Sequence, residues 1–162
     1  MSTRLAKIAT TAACGVLMTL VAVNNVFDYG VNFDVVRHIL AMDMIPDGPF
    51  GWRAITSPLA HHLLYFFIIA AEFCAGFATL LGVVRLWARR GATAQAFNRA
   101  KELATAGVAG GLLLYLFGFM TVGGEWFQMW RAGPYNMQEP AFRFIGSLGI
   151  ALIFLSLPDM DE

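Results

Sequence analysis

The stretch SPLAHHLLYFFIIAAEFCAGFATLLGVVRLW, residues 57–87, carries two adjacent histidines, His61 and His62, and one carboxylate, Glu72, in otherwise apolar sequence. Imidazole and carboxylate are the groups from which metal sites, haem ligation and proton transfer are built. An ionisable side chain in an apolar span is costly against lipid, so it faces protein or a water-filled cavity by default. At about 100° per residue, His61, Tyr65, Ile68, Glu72, Gly76 and Thr79 form one narrow helical stripe. Leu63, Phe66, Phe73, Phe77 and Leu81 lie on the other side. Glu72 is therefore expected to point into a helix bundle, about 16 Å below His61 at about 1.5 Å per residue.

Other runs repeat the pattern. Gly107, Gly111, Gly118 and Glu125 fall within about 40° of one another on a helical wheel. Gly107 and Gly111 form a GxxxG pair, which lets another helix approach closely. Thr11, Cys14, Gly15, Met18, Ala22 and Asn25 make a small or polar face, with Asp28 one turn further on. Arg143 opens the last apolar run, placed either to snorkel to the interface or to pair with Glu125. Asn24, Asn25, Asp28, His61, Glu125 and Arg143 are thus expected to converge near one end of the bundle, with Glu72 deeper. Such a cluster is either a set of interhelical clamps or a ligand site.

The chemistry open to it is limited. His61, Asp28 and Glu125 have the donor types of a zinc-like site, but no local spacing supports one. His61 and His62 point about 100° apart on a regular helix and do not share one ion. Haem requires axial ligands at matching depth. Its candidates are His61, His62 and His38, and the last lies in a connection. There is no phosphate-binding glycine loop and no Ser/His/Asp or Cys/His arrangement. No cofactor is clearly implied, and the balance is against an enzyme.

The elements that must position these residues follow from composition. The 162-residue chain is 58% hydrophobic and only 14% charged, with zero formal net charge and a mean hydropathy of +0.62. That is a membrane composition, and it gives no reason to expect nucleic acid. Four runs approach or exceed the roughly 20 residues needed to span, at about 8–27, 59–84, 103–124 and 141–157. They are continuous rather than alternating, which favours an all-α four-helix bundle over a barrel. The expectation is a single transmembrane domain over 1–162. The first run is too long for a signal-peptide core and lacks a small-x-small cleavage site. TAAC, ending at Cys14, is a poor lipoprotein signal. Cys14 and Cys74 lie inside spans and are expected to pack rather than to pair.

Basic residues set the orientation. Arg4 and Lys7 flank the first run. Arg85, Arg89, Arg90, Arg99 and Lys101 fill the connection between the second and third. The other connections mix Arg37, Arg53, Arg131 and Arg143 with Asp28, Asp34, Asp43, Asp47, Glu125 and Glu139. Both termini are therefore expected inside. The basic connection ARRGATAQAFNRAKE reads as a headgroup-facing turn that continues as helix into the third span. The first outside connection, NFDVVRHILAM, places Phe33, Val36, Leu40 and Met44 on one face. It predicts a short amphipathic helix, with Asn32 as N-cap and with Pro46 and Pro49 closing it. Trp52, Trp126 and Trp130 sit where an aromatic belt is expected.

A faint internal echo links WRAITSPLAHHLLYF with WRAGPYNMQEPAFRFI, one before the second run and one before the fourth. Proline in the first turn of a helix accounts for part of it. The segments VNNVFDYGVNFDVVRHILAMD, WRAITSPLAHH, FMTVGGEWFQMWR, AFRF and LPD together resemble the bacterial family of predicted small integral membrane proteins, a domain of unknown function. The resemblance covers nearly the whole chain. It implies a bacterial inner membrane and four spans, and it supplies no activity, ligand or catalytic residue.

The leading functional expectation is a non-enzymatic accessory or scaffold subunit of a membrane assembly. Its partners would be the lipid bilayer and other membrane proteins, or a second copy held through the Gly107/Gly111 face. The alternative is a small transporter, channel or ligand-binding protein using Glu72 and the outer cluster. A third reading is an electron-transfer subunit with haem held by His61 or His62.

Overall fold

The computed structural model describes residues 2–45 and 48–160. Pro46, expected to help close the outer amphipathic segment, and Asp47 lie outside the described residues. The helices are α1 (Ser2–Phe27), α2 (Tyr29–Ala41), α3 (Pro58–Ala88), α4 (Ala94–Ala100), α5 (Glu102–Leu113) and α6 (Gln138–Ser156). Leu114–Trp126 continues α5 as a wider π-helical segment. Among the described residues there is no strand. Four stretches are long and apolar enough to cross a membrane: Ser2–Phe27, Pro58–Ala88, Ala94–Trp126 and Gly133–Ser156.

Local sequence explains where the central helix starts. Ser57 is the N-cap of α3 and its hydroxyl accepts from the Ala60 amide at 3.4 Å, with Pro58 in the first turn. Pro58 needs no intrahelical partner there and has its φ already set. α3 packs between α1 and α5, and α6 closes the bundle against α5, the π segment and α1. Cys14, Met18, Ala75, Val108, Tyr115 and Leu148 form the central core. Leu63, Phe66, Phe77 and Leu81 stand exposed on the outer face of α3. In a bilayer that face meets acyl chains, so its exposure carries no hydrophobic penalty. Cys14 and Cys74 are free thiols.

Close backbone approach fixes the α3–α5 contact. A Cβ on Gly107 would stand 2.5 Å from the Thr79 amide nitrogen and 2.9 Å from the Ala75 carbonyl. The sequence offers Gly107 and Gly111 to another helix or to a second copy. The structure instead gives Gly107 to α3 of the same chain and turns Gly111 toward Met18 and Leu148. Both glycines are buried within one chain.

The amphipathic segment begins earlier and ends sooner than its spacing predicts. α2 starts at Tyr29, with Asp28 in the N-cap position and no side-chain cap. Asn32 therefore lies inside the helix rather than capping it. Met42, in the left-handed region at φ 53°, ends α2, so Met44 lies beyond the helical face. α2 folds over the end of the bundle. There Phe33 stacks on the His62 ring at 4.2 Å and Tyr135 donates to Asp34 at 3.2 Å.

Both termini meet at the opposite end. The Lys7 ammonium donates to the Asp159 carboxylate at 2.8 Å and to the Leu157 carbonyl at 2.6 Å. Lys101 reaches the same carboxylate at 2.5 Å and the same carbonyl at 2.7 Å. Asn98 closes the arrangement with a reciprocal pair to the Asp159 backbone. Burial pushes the Asp159 carboxyl up, but the Lys101 and Lys7 ammonium groups outweigh it and hold the group below its ordinary value of 3.8. Asp159 thus ties the C-terminal segment to α1 and to the start of the third span.

Two outcomes follow. Gly107→Leu should lower stability by at least about 2 kcal/mol through overpacking against backbone that has little room to shift, read as a fall in Tm in detergent. Asp159→Asn should cost about 2 kcal/mol. That is below the roughly 3–5 kcal/mol of a fully buried broken pair, because the cluster sits at the end of the bundle. Since the folded carboxyl is depressed, its stabilisation is complete above the unfolded value and is lost as pH falls below about 3.8. The acid limb of a pH–Tm profile should therefore flatten in Asp159→Asn.

Candidate functional site

Glu72 lies on the inward stripe of α3 at 2% exposure. One of its carboxylate oxygens accepts from the Asn25 side-chain amide at 2.7 Å, and the other from the Tyr115 hydroxyl at 3.1 Å. Asn25 comes from α1 and Tyr115 from the π segment, so one carboxylate joins three spans. Asn25 also accepts from the Asn32 amide at 2.7 Å, which links α2 to the same network. The Tyr65 hydroxyl donates to the Asn25 carbonyl at 3.4 Å. Tyr115 stacks on Phe144 of α6 at 4.3 Å, which brings in the fourth span. The stripe itself is as the spacing indicates: His61, Tyr65, Glu72, Gly76 and Thr79 are all buried. Ile68 departs from it, because the neighbouring Ile69 takes the inward position.

The remaining predicted residues, expected near the outer end of the bundle with Glu72 deeper, make contacts of their own. His61 is buried, and its Nε2 donates to the Ile55 carbonyl at 2.6 Å, anchoring the connection that leads into α3. His62 is exposed and hydrogen-bonds through Nδ1 to the Tyr29 hydroxyl at 2.8 Å. Asn24 and Asp28 are exposed. Arg143 pairs with Glu139, one turn back on α6, at 2.7 Å rather than with Glu125.

Glu125 is exposed for a geometric reason. From Leu114 the third span changes to an i→i+5 ladder, seen in the Phe127 amide donating to the Val122 carbonyl at 3.0 Å. Such a widened helix turns by less than about 100° per residue. The wheel that aligns Gly107, Gly111 and Glu125 therefore fails beyond Leu113. Tyr115 takes the inward position and Glu125 rotates out. Tyr115 was legible in the sequence, since it continues Gly107 and Gly111 by one more step of four.

Glu125 instead lines an apolar cavity of about 790 Å³ between α2, α3 and the π segment. Val35, Ile39, Leu64, Phe67 and Phe117 are among its walls. Arg53 lines it as well. Its guanidinium lies 4.1 Å from the Phe50 ring centroid and 4.5 Å from that of Trp126, and it donates to the Trp126 carbonyl at 3.2 Å. Glu72 is not part of this lining.

His38 belongs to a separate surface network. It contacts Asp43 at 2.6 Å and lies tilted against the Tyr135 ring at 4.4 Å, while Arg37 reaches Asp34 at 2.8 Å. The Arg37 hydrogen bond, joined by the nearby His38, holds the Asp34 carboxyl below its ordinary value against a smaller opposing effect of desolvation. Among the described residues, no three of His, Cys, Asp and Glu come together as a metal-binding group.

A family model described as "Predicted small integral membrane protein (DUF2165)" matches residues 3–158. No curated protein and no solved structure matches the chain.

The Glu72 network makes a direct prediction. Glu72→Leu leaves the buried Asn25 amide and Tyr115 hydroxyl without their acceptor. Each unsatisfied group costs about 1–3 kcal/mol. The variant should lose about 3 kcal/mol in reversible unfolding, whereas Glu72→Gln, which keeps one acceptor oxygen, should lose about half as much.

Proposed function

The chain belongs to that family of small integral membrane proteins, and from that premise we propose that it is a non-enzymatic accessory or scaffold subunit of a membrane assembly. The observation that carries this reading is the occupancy of Glu72. Among the described residues Glu72 is the acid buried in the interior of the bundle, and both its oxygens are bound by donors of its own chain. Its hydrogen bonds fix helix register, which is the commonest role of polar groups between membrane helices. The His61 ring is likewise engaged with backbone. What the molecule presents outward is apolar surface, including Phe67, Phe117, Phe142, Ile150 and Ile153. Such faces suit lipid and the helices of other membrane proteins alike. We place the protein in a bacterial inner membrane as one four-span domain. Both termini are taken to be cytoplasmic, because the basic connection and the lysines around Asp159 share their end.

A second reading has one observation in its favour. Asn32 is exposed, and it begins a hydrogen-bonded chain through Asn25 to Glu72, which connects the surface to the buried acid. A proton-linked or ion-linked carrier would use such a chain. In that case Glu72→Gln, despite a stability loss of about 1.5 kcal/mol, still folds and abolishes a transport signal.

Native mass spectrometry of the gently solubilised, chromosomally tagged protein tests the leading reading. The expected mass includes at least one other membrane protein. A monomer or homo-oligomer alone, at the expression level of the cell, would count against an accessory role.

A further inference from the structure

We propose that the cleft between the end of α3 and α4 holds the phosphate of an anionic phospholipid, gripped by Arg85, Arg89 and Arg99. The cleft has a volume of about 590 Å³, and its lining carries those three arginines with Thr93 and Gln95 and no acid. This site is independent of the accessory role.

The cations at this end divide into two groups. Lys7 and Lys101 bind Asp159. Arg4 donates to the Ala92 carbonyl at 2.6 Å, and Arg90 donates to the Trp87 carbonyl at 2.8 Å while lying over its ring. Arg85, Arg89 and Arg99 make no hydrogen bond or ion pair through their side chains among the described residues. The three free guanidinium groups are therefore the ones that share a single cleft. Like charges gathered in one concavity repel unless an anion sits among them. The forked geometry of a guanidinium matches two oxygens of a phosphate. Thr93 accepts from the Ala96 amide, which leaves its hydroxyl proton free to donate into the cleft.

Position identifies the source of the phosphate. A row of exposed apolar residues on α3, Phe77 and Leu81, leads up to Arg85 of the cleft at successive steps of four. A lipid whose headgroup enters the cleft lays its acyl chains along that row. Trp87 sits at the level where aromatic side chains meet the headgroup region. Basic pockets at the ends of spans are suited to anionic headgroups in this way. A soluble anion would gain nothing from the apolar row.

The test uses the full chain in nanodiscs made from an equal mixture of phosphatidylglycerol and phosphatidylcholine. Lipids retained after release into detergent are counted by native mass spectrometry. The wild-type chain should retain phosphatidylglycerol over phosphatidylcholine by about tenfold. R85Q/R89Q/R99Q should lose that preference, and R85K/R89K/R99K should keep only part of it, because an ammonium lacks the fork. If the triple variant does not fold, R99Q alone should still weaken the preference by severalfold. Equal retention of both lipids by the wild type would overturn the proposal, as would an unchanged preference in the glutamine variants. Complete displacement of the lipid by millimolar inorganic phosphate would also overturn it, in favour of a soluble-anion site.

Discussion

A carboxylate placed among apolar helices must find its hydrogen-bond donors inside the chain, and Glu72 finds one on each side of its own helix. Asn25 reaches it from α1 and Tyr115 from the third span. Neither bond survives a shift of one helix past another by a turn, so the pair fixes the register of three spans at once. Membrane helices gain little from apolar contact with each other, because lipid is equally apolar. Close glycine contacts and polar bonds must therefore supply specificity. Here they act together: Gly107 brings the third span against α3, and at that separation Tyr115 reaches Glu72.

The widening of the third span is the second constraint. The Tyr115 hydroxyl marks the first turn of the π segment, and beyond it the ladder stays wide as far as Trp126. The smaller angular step changes which side chains share a face, and an apolar cavity lies beside the segment under α2. The same widening carries Glu125 away from the polar network. One local change of helix type thus separates two features that a regular helix would have merged, a closed polar core and an open apolar pocket.

Much of this was legible in the sequence, and the failures share a cause. The four spans, the inward stripe of α3 apart from Ile68, and the inward face of α1 ending in Asn25 all follow from a 3.6-residue period, and they stand. The Arg143–Glu139 pair was also legible, as an i,i+4 pair within one helix. Glu125 was misplaced because a π ladder leaves no simple period in sequence. Asn32 was read as a cap because its partner, Asn25, belongs to another helix. The Asp159 cluster went unseen because Lys7 and Lys101 read individually as flanking charges. Only the closed bundle brings them to one carboxylate. Local periodicity thus located the elements, and long-range contacts decided which polar side chains meet.

The account places the buried chemistry of this protein in holding its helices together and leaves its surfaces to meet lipid and partners. A double-mutant cycle between Glu72→Leu and Tyr115→Phe, read by reversible unfolding in detergent, tests that most directly. If the hydrogen bond clamps α3 to the third span, Tyr115→Phe destabilises the wild-type chain but costs little in the Glu72→Leu background. The coupling should be about 1–2 kcal/mol. Additive effects, with no coupling between the two positions, would contradict the account.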